Sequence, residues 1–100
     1  ITQLSRGEGK NALSAALSAA GYTMDIPSVS ASDVRFATVR AYRYQFKATD
    51  SDGKSRLGFG YVFVRDQHLC TVSYLTLRDS TEFRTAIDAL TLDGHAWQTV

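Results

Sequence analysis

Residues 42–63 read Tyr42-Arg43-Tyr44-Gln45-Phe46-Lys47-Ala48-Thr49-Asp50-Ser51-Asp52-Gly53-Lys54-Ser55-Arg56-Leu57-Gly58-Phe59-Gly60-Tyr61-Val62-Phe63. Between Tyr42 and Ala48 the side chains alternate. Tyr42, Tyr44, Phe46 and Ala48 point one way and Arg43, Gln45 and Lys47 the other, the period-two pattern of a half-buried strand. Asp52-Gly53 signals a two-residue hairpin, because a type I′ turn needs positive φ at both central positions. Counting outward from that turn predicts Ala48 opposite Leu57, Phe46 opposite Phe59, Tyr44 opposite Tyr61 and Tyr42 opposite Phe63, all on one face. A second tight turn at Asp66-Gln67 predicts Cys70 beside Phe63, Val72 beside Tyr61 and Tyr74 beside Phe59. Tyr42, Tyr44, Phe46, Phe59, Tyr61, Phe63 and Tyr74 then form one aromatic face of a three-stranded antiparallel meander. The other face mixes Arg43, Gln45, Lys47, Thr71 and Ser73 with Val62, Val64, Leu69 and Leu75, and suits water only in part.

Upstream, Ser5 and Glu8 have capping-box spacing, Leu13, Ala16, Leu17 and Ala20 recur at i, i+3, i+4, i+7, and Gly21 suits a C′ stop. A helix is expected over about residues 8 to 20, with Gly7 and Gly9 weakening its first turn and allowing its start to move toward Asn11. Tyr22 to Asp33, with Pro27 and a Ser-rich run, reads as an extended connector or short edge strand, and a short fourth strand from Val29 to Phe36 is consistent with it. The apolar parity changes at Val39 and Ala41, which predicts a bulge or bend near residues 38 to 41. Downstream, Asp79 and Glu82 repeat the capping-box spacing, and Phe83, Ala86, Ile87 and Leu90 form an apolar stripe before Gly94, giving a second helix over about 80 to 91. The tail from His95 to Val100 has no periodicity long enough to assign.

One hundred residues make a single domain over 1–100, and beginning at Ile1 the chain is expected to be processed or cut from something longer. With 44% hydrophobic and 21% charged residues the composition is that of a folded globular chain. Eleven basic against ten acidic residues give a net charge of +1, too little to live by neutralising many phosphates or coating an anionic membrane. One cysteine, Cys70, can form no internal disulfide, and with two histidines it makes no conventional zinc site. No apolar run is long enough to span a bilayer, and no charged-then-apolar export signal opens the chain.

Several local patterns suggest chemistry and are weighed against plainer readings. Arg56 to Val64 resembles the aromatic octamer of RNA-recognition motifs, whose exposed rings stack on unpaired bases, with Leu57 where a basic residue is usual and Val64 where an aromatic is. Core packing of the same rings is the plainer reading. The helix, three strands, helix order is that of double-stranded-RNA-binding domains, but Asp79-Ser80-Thr81-Glu82 places acidic residues where those domains grip phosphate. Asp50-Ser51-Asp52-Gly53 begins like a calcium loop, yet the twelfth position is Tyr61 rather than a bidentate Glu, so a solvated hairpin tip is expected. Cys70 reads as a buried structural thiol, and no carboxylate is placed to orient His68 or His95. Arg35, Arg40, Arg43 and Lys47 read as a solvated strand face rather than a basic stripe.

The segment from Gly21 to about Leu92 resembles the C-terminal portion of PsbP-like domains, the family that includes photosystem II accessory proteins and bacterial envelope lipoproteins. The likeness is one of layout: a helix ending in Gly21-Tyr22, a connector into Ala41-Tyr42-Arg43-Tyr44-Gln45-Phe46, the turn at Asp52-Gly53, then Gly60-Tyr61-Val62-Phe63-Val64, Cys70-Thr71-Val72-Ser73-Tyr74, and a short helix carrying Phe83 and Ile87. It implies a non-catalytic module that binds a protein partner or an apolar small ligand, without a cofactor, in an exported or cell-envelope setting. The expected architecture is an α+β domain, an antiparallel β-meander of three to four strands with two helices packed on one face. The expected function is a binding or accessory module, acting through a protein partner or by self-association as a homodimer. Tyr42, Tyr44 and Tyr61 are its candidate groove residues, because a tyrosine offers apolar area and a hydroxyl that stays wet. The rival readings are single-stranded RNA binding through the Phe59–Phe63 strand and a small enzyme with a site between helix and sheet.

Overall fold

In the computed structural model, residues 4–100 are described; the reading of Ile1 as a cut end lies outside them. Ser5 caps the first helix, α1 (Arg6–Ala19): its hydroxyl accepts from the Glu8 N–H and the Glu8 carboxylate accepts from the Ser5 N–H, a complete capping box. The helix starts earlier than Gly7 and Gly9 suggest because its second glycine is needed where it stands. A Cβ on Gly9 would strike the Tyr44 hydroxyl, so the absent side chain lets the helix settle on the sheet. At the other end Gly21, at φ +91, closes a Schellman motif in which its N–H reaches Ser18 O and the Tyr22 N–H reaches Leu17 O.

Six strands follow: β1 (Thr23–Phe36), β2 (Val39–Thr49), β3 (Ser55–Arg65), β4 (His68–Thr76), then, after α2 (Thr81–Asp88), β5 (Thr91–Leu92) and β6 (His95–Thr99). They form one antiparallel sheet in the order β4-β3-β2-β1-β6-β5. The expected α+β class and antiparallel meander are present, but the sheet has six strands rather than three or four. The presumed connector is a 14-residue strand near the middle of the sheet, broken between Asp25 and Ser30 by a bulge that contains Pro27. Ser28 stitches that bulge, its hydroxyl donating to Asp25 O and accepting from the Lys47 N–H. The irregularity expected at residues 38 to 41 is a hairpin corner, with Phe36 facing Val39 and Ala37 at φ 54. The tail pairs with β1 as β6, and α2 stops at Asp88, three residues before the predicted end, so that Thr91 and Leu92 can pair with it. Its N-cap is Ser80, one residue later than expected, while Asp79 forms a bidentate ion pair with Arg84.

The largest correction concerns register. Phe46 faces Gly58, Tyr44 faces Gly60 and Tyr42 faces Val62, one residue out of step with the expected pairing, whereas β3 and β4 pair as expected, with Phe59 opposite Tyr74 and Phe63 opposite Cys70. A one-residue slip reverses which face each side chain occupies. The aromatic residues therefore divide between two cores. Tyr44, Phe46, Ala48 and Val62 pack with Leu13 and Leu17 of α1, while Phe59, Tyr61, Phe63 and Ala41 pack with Ile87 of α2. The two helices lie on opposite faces of the sheet, not on one.

The cause of the slip is the corner itself. Gly53 has φ +79 but Asp52 does not have positive φ, the Gly53 N–H donates to Asp50 O, and the Asp50 N–H donates to Lys54 O. This is a three-residue loop ending in a left-handed glycine, not a two-residue type I′ turn. Asp50 selects it: its Oδ1 accepts from the Asp52 and Lys54 N–H groups at 2.9 Å each, and its Oδ2 takes the Arg56 guanidinium at 2.9 and 3.1 Å. The Lys54 N–H, opposed by burial and aided by Arg56, holds the Asp50 carboxyl below the usual carboxylate range. A carboxylate with a lowered folded-state pKa supplies stability that is complete above its unfolded pKa of about 3.9 and is lost as pH falls through the folded value. Urea midpoints taken from neutral to acid pH are therefore expected to fall more steeply in the wild type than in D50N, and equal slopes would show that Asp50 does not anchor the corner.

Candidate functional site

The three candidate groove tyrosines do not converge. Tyr42 and Tyr44 lie on the α1 face, and their hydroxyls donate to Leu4 O and Arg6 O at 2.8 Å each, tying the start of α1 to the sheet. Tyr44 is 1% exposed, and burial, reinforced by Tyr42, pushes its phenol up to about 12. Tyr61 lies on the opposite face, wholly buried, and its hydroxyl donates to Ile87 O near the end of α2. Burial raises its pKa too, against the nearby Arg43. Tyr42 borders a cleft of about 770 Å³ at one end of the sheet, walled also by Arg40, Arg65 and Asp66.

The rings that resemble an RNA-stacking octamer are covered by α2 and its surroundings: Phe59, Tyr61 and Phe63 are 1%, 0% and 6% exposed. In this conformation they have no free face to offer a base. Above them sits Arg43, the residue expected on a solvated strand. Its guanidinium lies 5.1 Å from the Phe59 ring, 5.8 Å from Tyr61 and 5.0 Å from Trp97. Its Nε donates to the Tyr61 hydroxyl at 3.1 Å and its second nitrogen pairs with Asp88 at 3.0 Å. One side chain thus joins β2, β3, β6 and α2. Its parity within a strand gave no sign of this, because the slip that places it there arises in the turn. Cys70, expected to be buried, is half-buried on β4, its thiol directed to His68 O at 3.8 Å, and both histidines are exposed. Among the described residues no three His, Cys, Asp or Glu side chains gather as metal ligands, and no helix is long and apolar enough to cross a membrane.

The remaining feature is the margin of the sheet. On the far side, β5 is two residues long, and the part of β1 that β6 leaves uncovered carries Asp25, Pro27 and the bulge. Short length, charge, proline and bulges are the means by which proteins blunt open strand edges. β4 has none of them. Its nine residues, His68-Leu69-Cys70-Thr71-Val72-Ser73-Tyr74-Leu75-Thr76, contain no Lys, Arg, Asp, Glu, Pro or Gly. Two exposed leucines mark it, Leu69 at 40% within the strand and Leu77 at 57% one residue past its end.

The hydrogen-bond phase shows which groups this edge offers. Because Asp50 and Lys54 close the loop by exchanging a ladder bond, even-numbered residues of β3 bond to β2 and odd-numbered ones to β4. Odd residues of β3 face even residues of β4, and the type I′ corner at Asp66 and Gln67, both with positive φ, closes on Arg65 and His68 in the same phase. The N–H and C=O groups of Leu69, Thr71, Ser73 and Leu75 therefore point away from the sheet, unpaired. Compared with known proteins, the chain matches no family model, no curated protein and no solved structure.

Proposed function

We propose that this protein is a non-catalytic interaction module that binds an extended polypeptide segment along β4 by strand addition. The observation that carries the reading is a nine-residue edge strand with no charge, proline or bulge and a full row of outward backbone groups. Main-chain pairing supplies affinity in such recognition, and side chains on alternate faces supply selectivity. The tyrosines proposed as a groove have a supporting part in this reading. They hold α1 and α2 in place on the two faces, so that β4 is presented on a rigid sheet.

The test uses a synthetic nine-residue peptide with the β4 sequence, its cysteine changed to serine, titrated into dilute protein labelled with ¹⁵N. The amides of Leu69, Thr71, Ser73 and Leu75 are expected to shift and gain protection from exchange, while those of Cys70, Val72 and Tyr74, already bonded to β3, change little. A Lys-substituted peptide should bind more weakly. Shifts spread without regard to parity, or none at all, would end the strand-addition reading.

A further inference from the structure

Resting on that reading, we infer that the segment β4 binds is β4 of a second copy of this chain, running antiparallel about a two-fold axis at Ser73. A two-fold antiparallel pair must join outward-facing residues to outward-facing residues, and on β4 these are the odd-numbered ones. Centring the pair on Ser73 places Ser73 opposite the partner copy's Ser73 and Thr71 opposite Leu75, and brings Leu69 level with Leu77, one residue past the strand. The exposed leucine in the strand thus meets the exposed leucine just beyond its end. On the α2 side Val72 stands opposite Tyr74 in a close, non-hydrogen-bonded pair, a β-branched and aromatic match of the kind that stabilises strand pairing. Moving the centre by one residue toward either end leaves one leucine opposite Gln67 or Asp79. No charge on β4 opposes the approach, since His68 is its only titratable side chain apart from Cys70 and Tyr74. The product is a continuous sheet of twelve strands, six from each copy, in which both β4 edges are consumed.

The test measures assembly and register in the whole chain. Light scattering across a concentration series should rise toward twice the 11.0 kDa chain mass. S73P removes an outward N–H at the axis while leaving every β3–β4 bond in place, so it should fold and weaken the dimer by at least about tenfold, because both copies lose the bond. In a C70S background, S73C should form an intermolecular disulfide on mild oxidation, since hydrogen-bonded antiparallel partners lie about 5.5 Å apart at Cα, within disulfide reach. L75C alone should not, whereas an equal mixture of T71C and L75C should give the mixed dimer. A mass that stays at one chain at every concentration overturns the inference. So does a dimer that survives S73P and gives no S73C cross-link. If S73P fails to fold, the cross-links decide alone. Binding of the β4 peptide by a chain that stays monomeric would overturn only the second-copy inference, and absence of both would overturn strand addition as well.

Discussion

Gly58→Ala is expected to destabilise the domain by about 3 kcal/mol, the upper part of the range for forcing a methyl group into a filled core. A Cβ at this position would meet three carbons of the Phe46 ring, two of them at 2.5 and 2.8 Å, with the third closer still. Phe46 is 1% exposed and held between α1 and the sheet, so it has no room to retreat. Gly60 is similarly covered, by both Leu13 methyl groups at 2.7 and 2.9 Å. In a domain of this size the loss corresponds to a fall in Tm on the order of 15 °C, readable by calorimetry. Pairing it with F46L should recover part of the loss, because the two positions share one contact and their effects are not additive. Gly7→Ala supplies the control of opposite sign. Gly7 sits in the first turn of α1 with only the Ser5 hydroxyl at 4.0 Å from a built Cβ, and alanine there should add up to about 1 kcal/mol through helix propensity. A G58A protein as stable as the wild type would mean that the glycines of β3 are not there to seat Phe46 and Leu13.

Deleting Ser51 is expected to keep the fold and its register while costing about 2 kcal/mol of stability. The deletion leaves two residues between Asp50 and Lys54, the length suited to a type I′ turn at Asp52-Gly53, so Asp50 still closes on Lys54 and Phe46 still faces Gly58. Arg65 and His68 already close on a two-residue corner of this kind. What the shortened loop loses is the pair of N–H groups that the Asp50 carboxylate now receives, and hydrogen bonds to a charged group carry a loss of this size. A slip by one residue would instead bring Phe46 opposite Phe59 and Tyr44 opposite Tyr61, piling aromatic rings against α1 and leaving Ile87 of α2 over Gly58, Gly60 and Val62. The expected result is a sharp thermal transition at a lower temperature with near-ultraviolet circular dichroism retained. A deletion variant that lost the sharp transition and the near-ultraviolet signal would show that Ser51, and not only the closing pair at Asp50 and Lys54, holds the register.

These two outcomes turn on the same pair of strands, and they mark where reading the chain residue by residue stops being sufficient. The chain contains two Asp-Gly pairs. Asp93-Gly94 makes the two-residue corner expected of such a pair, with φ of 53 and 79 and Leu92 facing His95. Asp52-Gly53 does not, although the dipeptide is the same. The difference lies two residues upstream, where Asp50 has a carboxylate to bond the loop amides and Thr91 does not. Asp50 was therefore a visible signal, one that reading the dipeptide alone passes over. The glycines at 58 and 60 were a second signal, since alternate glycines in a strand mark places where a large neighbour lies close.

What local chemistry could settle, the chain settled by itself. The capping box at Ser5 and Glu8, the helix stop at Gly21, the alternation from Tyr42 to Ala48 and the tight turn at Asp66-Gln67 each depend on groups within a few residues of one another, and each stands in the fold as read. The α+β class follows from them. Non-local pairing decided the rest. The segment from Thr23 to Phe36 lacks an unbroken strand pattern because it bulges at Pro27, and it is a strand because β2 and β6 flank it. His95 to Thr99 is one because β1 still had an open edge to fill. Arg43 looked like a solvent residue until Phe59, Tyr61 and Trp97 closed around it. The bare rim at β4 belongs to the same class: its lack of charge can be read in nine letters, but that it lies at the margin of the sheet depends on where every other strand has gone. Propensity and turn chemistry act over a few bonds, whereas strand order and facing are fixed only when distant segments compete for the same hydrogen bonds and the same buried space.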